Sequence, residues 1–75
     1  MNSRLKFRKS IGEQIRLRRL DRGWSQEELG FASNTHRTYI GALERGEKAI
    51  TVEKLAQLAN AMGYKASAIL EGAGL

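Results

Sequence analysis

Residues 34–47 read NTHRTYIGALERGE, and this stretch decides the fold. Ile40 and Leu43 stand three apart, so they share one face of a helix. The other face begins with His36, Arg37 and Thr38 and continues with Gly41 and Ala42. It is polar at the tip and carries no bulk along the side. A helix that buries one side and presses the other closely against a second molecule needs both features.

Upstream, Ser25-Gln-Glu-Glu28 reads as a capping box that opens a helix over 26–33. Only a few residues around Asn34 separate it from the next helix, over 36–45, and Asn tolerates the left-handed conformation that a sharp bend needs. Leu29, Ile40 and Leu43 fill the angle between the two helices, while Gly30 permits a close crossing at a helix-propensity cost of about 1 kcal/mol relative to Ala. A tight pair of this kind lays its second helix in the major groove of DNA.

The flanking chain supplies a helical setting. Ser10-Ile-Gly-Glu13 reads as a capping box for a helix over 10–22, and Thr51 as the N-cap of one over 52–62. In the latter, Val52, Leu55, Ala56, Ala59 and Met62 form an apolar stripe. A last helix is expected over 67–71. Gly23, Gly46, Gly63 and Gly72 follow these segments where a left-handed residue ends a helix. There is no proline and no strand-like alternation. The expectation is a compact, all-α, five-helix domain over residues 10–75. Residues 1–9 form either a basic arm or an extension of the first helix, since Phe7, Ile11 and Ile15 continue its spacing.

Seventy-five residues make one domain, and without cysteine there is no disulfide, thiolate metal site or cysteine nucleophile. The net charge of +5 is uneven: residues 1–22 hold eight Lys/Arg against Glu13 and Asp21, and the remainder holds five against six. A basic pole favours a polyanion. His36 is the lone histidine, and no nucleophile–base pair, carboxylate pair or ligand cluster accompanies it, so neither an enzyme nor a metal or cofactor site is expected. No apolar run approaches a membrane span or a signal-peptide core, which leads to the expectation of a cytoplasmic protein.

From Ile11 to Leu70 the segments IGEQIR, RGWSQEEL, HRTYIGALERGEKAIT and LAQLANAMG resemble the lambda-repressor-like (Cro/repressor, XRE) helix-turn-helix family. HRTYIGALERGEKAIT is most similar to the controller proteins of restriction–modification systems. The resemblance implies a transcriptional regulator that binds double-stranded DNA as a homodimer, with control of a restriction–modification operon and of its own gene as the narrower expectation. It implies base contacts from Arg37, Thr38, Gly41 and Ala42. Backbone contacts are expected from Gln26, Ser25, His36 and Tyr39, and a structural ion pair from Arg19 and Glu44. Two positions depart from the pattern. Arg18 stands where an aliphatic is common, and Lys65 where a serine N-cap is common, leaving Ser67 to take that role. Trp24, just before the capping box, is expected to pack as a hydrophobic staple.

Self-association is expected through the C-terminal third, because the second and third helices must stay free for DNA. Tyr64, Ile69, Leu70 and Leu75 are its candidates, with Ile69 and Leu70 alternatively closing the monomer core. The rival reading is an antitoxin that sequesters a toxin and binds DNA secondarily, for which a toxin-binding segment beyond Leu75 would be expected.

Overall fold

The computed structural model describes residues 3–75 and contains five helices: α1 Ser3–Asp21, α2 Gln26–Ser33, α3 Arg37–Glu44, α4 Val52–Ala61 and α5 Ala66–Gly72. The described residues form no strand, and none of their helices is long and apolar enough to cross a membrane. Ile15 from α1, Leu29 from α2, Ile40 and Leu43 from α3, Leu55 and Leu58 from α4, and Ile69 from α5 meet in one core. Every helix therefore contributes to a single apolar centre.

The helix ends are wired alike. After α3, Gly46 N–H donates to Leu43 O at 3.0 Å and Glu47 N–H to Ala42 O at 2.9 Å, with Gly46 at φ 75°. This pairing satisfies carbonyls that a helix C-terminus otherwise leaves open. The same pattern closes α2 with Asn34 in the left-handed position, at φ 53°, where Thr35 N–H reaches Gly30 O at 2.8 Å. The α2 N-terminus has the reciprocal box: Glu28 N–H donates to Ser25 Oγ, and Ser25 N–H to the Glu28 carboxylate. Thr51 caps α4 by accepting from Lys54 N–H at 3.0 Å.

Several expectations are corrected. The first helix begins at Ser3, so Ser10 and Glu13 lie in mid-helix and form no capping box. Residues 3–9 are an extension of that helix. Gly72 lies inside α5, and Gly74, at φ 81°, takes the left-handed position after it. Val52 leaves the apolar stripe: as the first residue of α4 it is 80% exposed, and Leu58 completes the buried face. Lys65 precedes α5 with no side-chain cap, and Ser67 is already within the helix.

The long first helix docks by arginines as well as apolar contacts. Arg22 Nη1 donates to the carbonyl of Met62 at 3.1 Å, at the C-terminal end of α4 where a cation meets the negative end of the helix dipole. Its guanidinium also lies over the Trp24 ring, 4.3 Å from the centroid. Trp24 is half-buried against the core. Arg18 donates to Gln14 and to Ala68 O and lies over Tyr64. The arginine at an aliphatic position thus joins α1 to α5 through its polar head.

Candidate nucleic-acid interface

The α3 helix is divided along its length. Arg37 and Thr38 are exposed, Tyr39 is half-buried against the core, and Ile40 through Glu44 are buried. His36 is the N-cap: its Nδ1 accepts from Thr38 N–H at 3.0 Å. That bond fixes the start of the helix. The start of α3 therefore presents exposed His36, Arg37 and Thr38 ahead of a buried remainder.

At the other end of α3 lies an ion pair. Arg19 Nε and Nη2 donate to the two Glu44 oxygens at 2.7 and 2.9 Å, and the two side chains are only 8% and 3% exposed. Arg19 Nη1 also donates to Trp24 O at 2.8 Å. Donation to the Glu44 carboxylate raises the Arg19 pKa above its ordinary value, with burial opposing the shift and the charge of Glu44 supporting it. Gln26 Nε2 donates to Glu44 Oε1 at 3.2 Å, joining the start of α2 to the end of α3. A two-point Arg–carboxylate contact sets orientation as well as distance, so the pair holds α3 against α1 and α2.

Glycines set the spacing of these elements. A Cβ at Gly12 would fall against the carbonyls of Leu43 and Glu44, 2.8 Å from the Glu44 oxygen. This close approach of α1 to α3 went unread in the sequence, where Gly12 looked like a spacer within a cap. Its signal was a glycine at a position that faces inward with Ile15. At Gly30 an added Cβ would meet Thr35 O, as its expected place at the crossing requires.

Gly41 and Ala42 do not form the open, shaved face expected of them. Both are buried, and the space above Gly41 is taken by the Gln26 amide and the Arg45 guanidinium, 3.2 and 3.1 Å from where a Cβ would stand. The small residue makes room for the Gln26–Glu44 bond. Gln26 is correspondingly half-buried in this network, whereas Ser25 is exposed and occupied by its cap.

On the outer side, Arg37 Nη1 lies 3.0 Å from Glu27 Oε2, with the two side chains 64% and 75% exposed. Arg37, His36, Asn34, Thr35, Phe31 and Glu27 surround an open concavity between α2 and the start of α3. The turn itself is braced from α4: Lys54 Nζ donates to Thr35 Oγ1 at 3.0 Å, and Gln57 donates to Ser33 O. These braces also escaped the sequence reading, which followed only the apolar stripe of α4. Just past α3, Arg45 grips both oxygens of Glu47 at 2.8 and 3.1 Å, raising the Arg45 pKa and lowering that of Glu47.

The four candidate association residues separate. Ile69 is 0% exposed and takes the second of its two expected places, in the monomer core, where its side chain closes α5 onto the centre. Tyr64 and Leu70 are half-buried at the core's edge, and Leu75 is exposed. Of the basic residues in the first third, Arg18, Arg19 and Arg22 are engaged in contacts that hold the helices together, Arg19 alone of the three being buried.

Comparison with known proteins adds a family to this geometry. The family model described as Helix-turn-helix matches residues 15–69. The control protein C.BamHI of Bacillus amyloliquefaciens is 34% identical over 71 residues, covering 93% of this chain and 83% of its own. The control protein C.SmaI of Serratia marcescens is 38% identical over 65 residues, covering 87% and 77%. Among solved structures, the clp gene regulator ClgR of Corynebacterium glutamicum superposes with a TM-score of 0.87 at 34% identity, covering 91% of this chain and 72% of that one. The restriction–modification controller protein C.Esp1396I, as a tetramer on its natural 35 base-pair operator, superposes at 0.81 with 26% identity, covering 97% and 92%.

Proposed function

The chain belongs to the helix-turn-helix family, and from that premise we propose that it is a sequence-specific transcriptional regulator of the controller type, acting as a homodimer on a pseudo-palindromic operator. The carrying observation is the division of α3, whose first turn stands exposed while the rest is locked beneath it. Arg37 and Thr38 read base edges in the major groove, Arg37 by forking onto guanine O6 and N7. Exchange of its Glu27 partner for a base costs little, since exposed ion pairs contribute about 0–1 kcal/mol. His36, Ser25, Gln26 and Tyr39 contact the DNA backbone at the two helix starts, where free N–H groups and the helix dipole favour phosphate.

Dimerisation supplies the readout that one helix lacks, since a genome offers on the order of 10⁶ or more competing sites. Tyr64, Leu70 and Leu75 form its surface, away from α2 and α3. The genes controlled are a restriction–modification operon and the protein's own, a reading supported by the similarity to the restriction–modification controller protein C.Esp1396I.

Selection of bound sites from random DNA, with footprinting and analytical ultracentrifugation, tests the reading. The expected product is a repeated half-site with centres about 10 bp, roughly 34 Å, apart, bound by a dimer. A strict monomer protecting one unrepeated half-site would overturn the dimer, and absence of any enriched sequence would overturn the regulator.

A further inference from the structure

The helical extension of α1 makes a groove with the segment that follows α3. Phe7, Ile11, Ile15, Leu43 and Ile50 line its apolar part, Arg4, Arg8 and Lys48 stand around it, and its volume is about 320 Å³. Phe7 is about half exposed, a large aromatic surface left to water. We propose that this groove binds a small amphiphilic carboxylate, specifically a medium-chain fatty carboxylate, with the chain on the apolar floor and the head among the cations.

Three observations carry this. The volume lies at the lower end of the range of small-molecule sites, and the lining is of their kind: mostly apolar, with a few polar groups to fix orientation. The charge is one-sided, since Arg8 and Lys48 line the groove and no carboxylate of the described residues does. The adjacent acid, Glu47, is held by Arg45 and does not neutralise Lys48. Long basic side chains cover apolar surface with their stems while their heads stay in water, so the rim meets an anionic head while the floor meets a tail. None of the residues proposed to touch DNA lines the groove, which makes its occupancy separable from operator recognition. A bound chain would brace the α1 extension against residues 48–50, directly after α3.

The test titrates octanoate, octanol and acetate into isotopically labelled protein and follows amide chemical shifts. Octanoate binds saturably, with shifts concentrated at residues 7–15 and 48–50. Octanol binds about tenfold more weakly for want of a charge-assisted hydrogen bond, and acetate leaves the spectrum unchanged. Arg8→Gln and Lys48→Gln each weaken octanoate about threefold, as for an exposed ion pair, and leave octanol unaffected. Phe7→Ser weakens both chain-bearing ligands. Equal affinity for octanol and octanoate would reduce the groove to an apolar patch and overturn the proposal. Shifts spread to exposed sites such as Phe31 would do the same. So would groove shifts that grow with protein concentration alone, which would assign the groove to a second copy of this chain.

Discussion

Two arginine–carboxylate pairs lie on either side of α3, and their difference explains how the helix works. Arg19–Glu44 is buried, held at two points and joined by Gln26, whereas Arg37–Glu27 lies in solvent with a single contact. The chemistry is the same in both. Burial decides the rest: loss of one partner inside leaves an uncompensated charge, while loss outside leaves a hydrated one. The inner pair therefore fixes where α3 stands, and the outer pair keeps Arg37 exposed and exchangeable. One arginine anchors the helix and the other is available for a ligand.

The largest effect expected from that contrast is Glu44→Ala, which should destabilise the fold by about 3–5 kcal/mol by stranding Arg19. Chemical denaturation measures it. A wild-type unfolding midpoint with altered DNA selectivity would reverse the roles assigned to the two pairs. Next is Gly12→Ala, which forces α1 away from the Leu43 and Glu44 carbonyls and should cost about 1–3 kcal/mol as overpacking. An unchanged melting temperature would mean that α1 and α3 separate freely.

Arg37→Ala belongs to the outer side. It should leave stability within about 0.5 kcal/mol, as surface changes do, and remove about 1–3 kcal/mol from binding to the selected site. Glu27→Gln should change stability even less and strengthen DNA binding slightly, because it removes a negative charge and frees Arg37; weaker binding would mean that Glu27 positions the arginine. The smallest effect concerns Glu47, whose carboxyl Arg45 holds below its ordinary range. Because its folded pKa is depressed, the pair's contribution is present above the ordinary carboxylate pKa and lost as pH falls through the lowered value. Arg45→Ala should erase that acid-side dependence, visible as a changed slope of stability against pH.

The sequence made the helix-turn-helix legible because its signals are local: the Ser25–Glu28 box, Asn34 at the bend, and Leu29, Ile40 and Leu43 in the angle. The Arg19–Glu44 pair was legible only through family resemblance, since its partners stand 25 residues apart. What escaped depended on tertiary approach. Gly12 looked like part of a cap until α3 was seen against it, and Ser10–Glu13 has the letters of a capping box within a helix that starts at Ser3. Gly41 and Ala42 looked open because a helical face viewed alone cannot reveal that Gln26 lies over it. Ile69 stood between an interface and a core role in the sequence, and only the packing of α5 onto the other helices decides for the core.

The most direct test of the central claim compares affinities of wild type and Arg37→Ala for the selected site and for a scrambled duplex at one salt concentration. Base contacts specify and phosphate contacts position. The account predicts that Arg37→Ala loses most of its preference for the selected site while its affinity for the scrambled duplex stays near wild type. An equal loss on both duplexes would make Arg37 a phosphate contact and contradict the assignment of base reading to the exposed turn of α3.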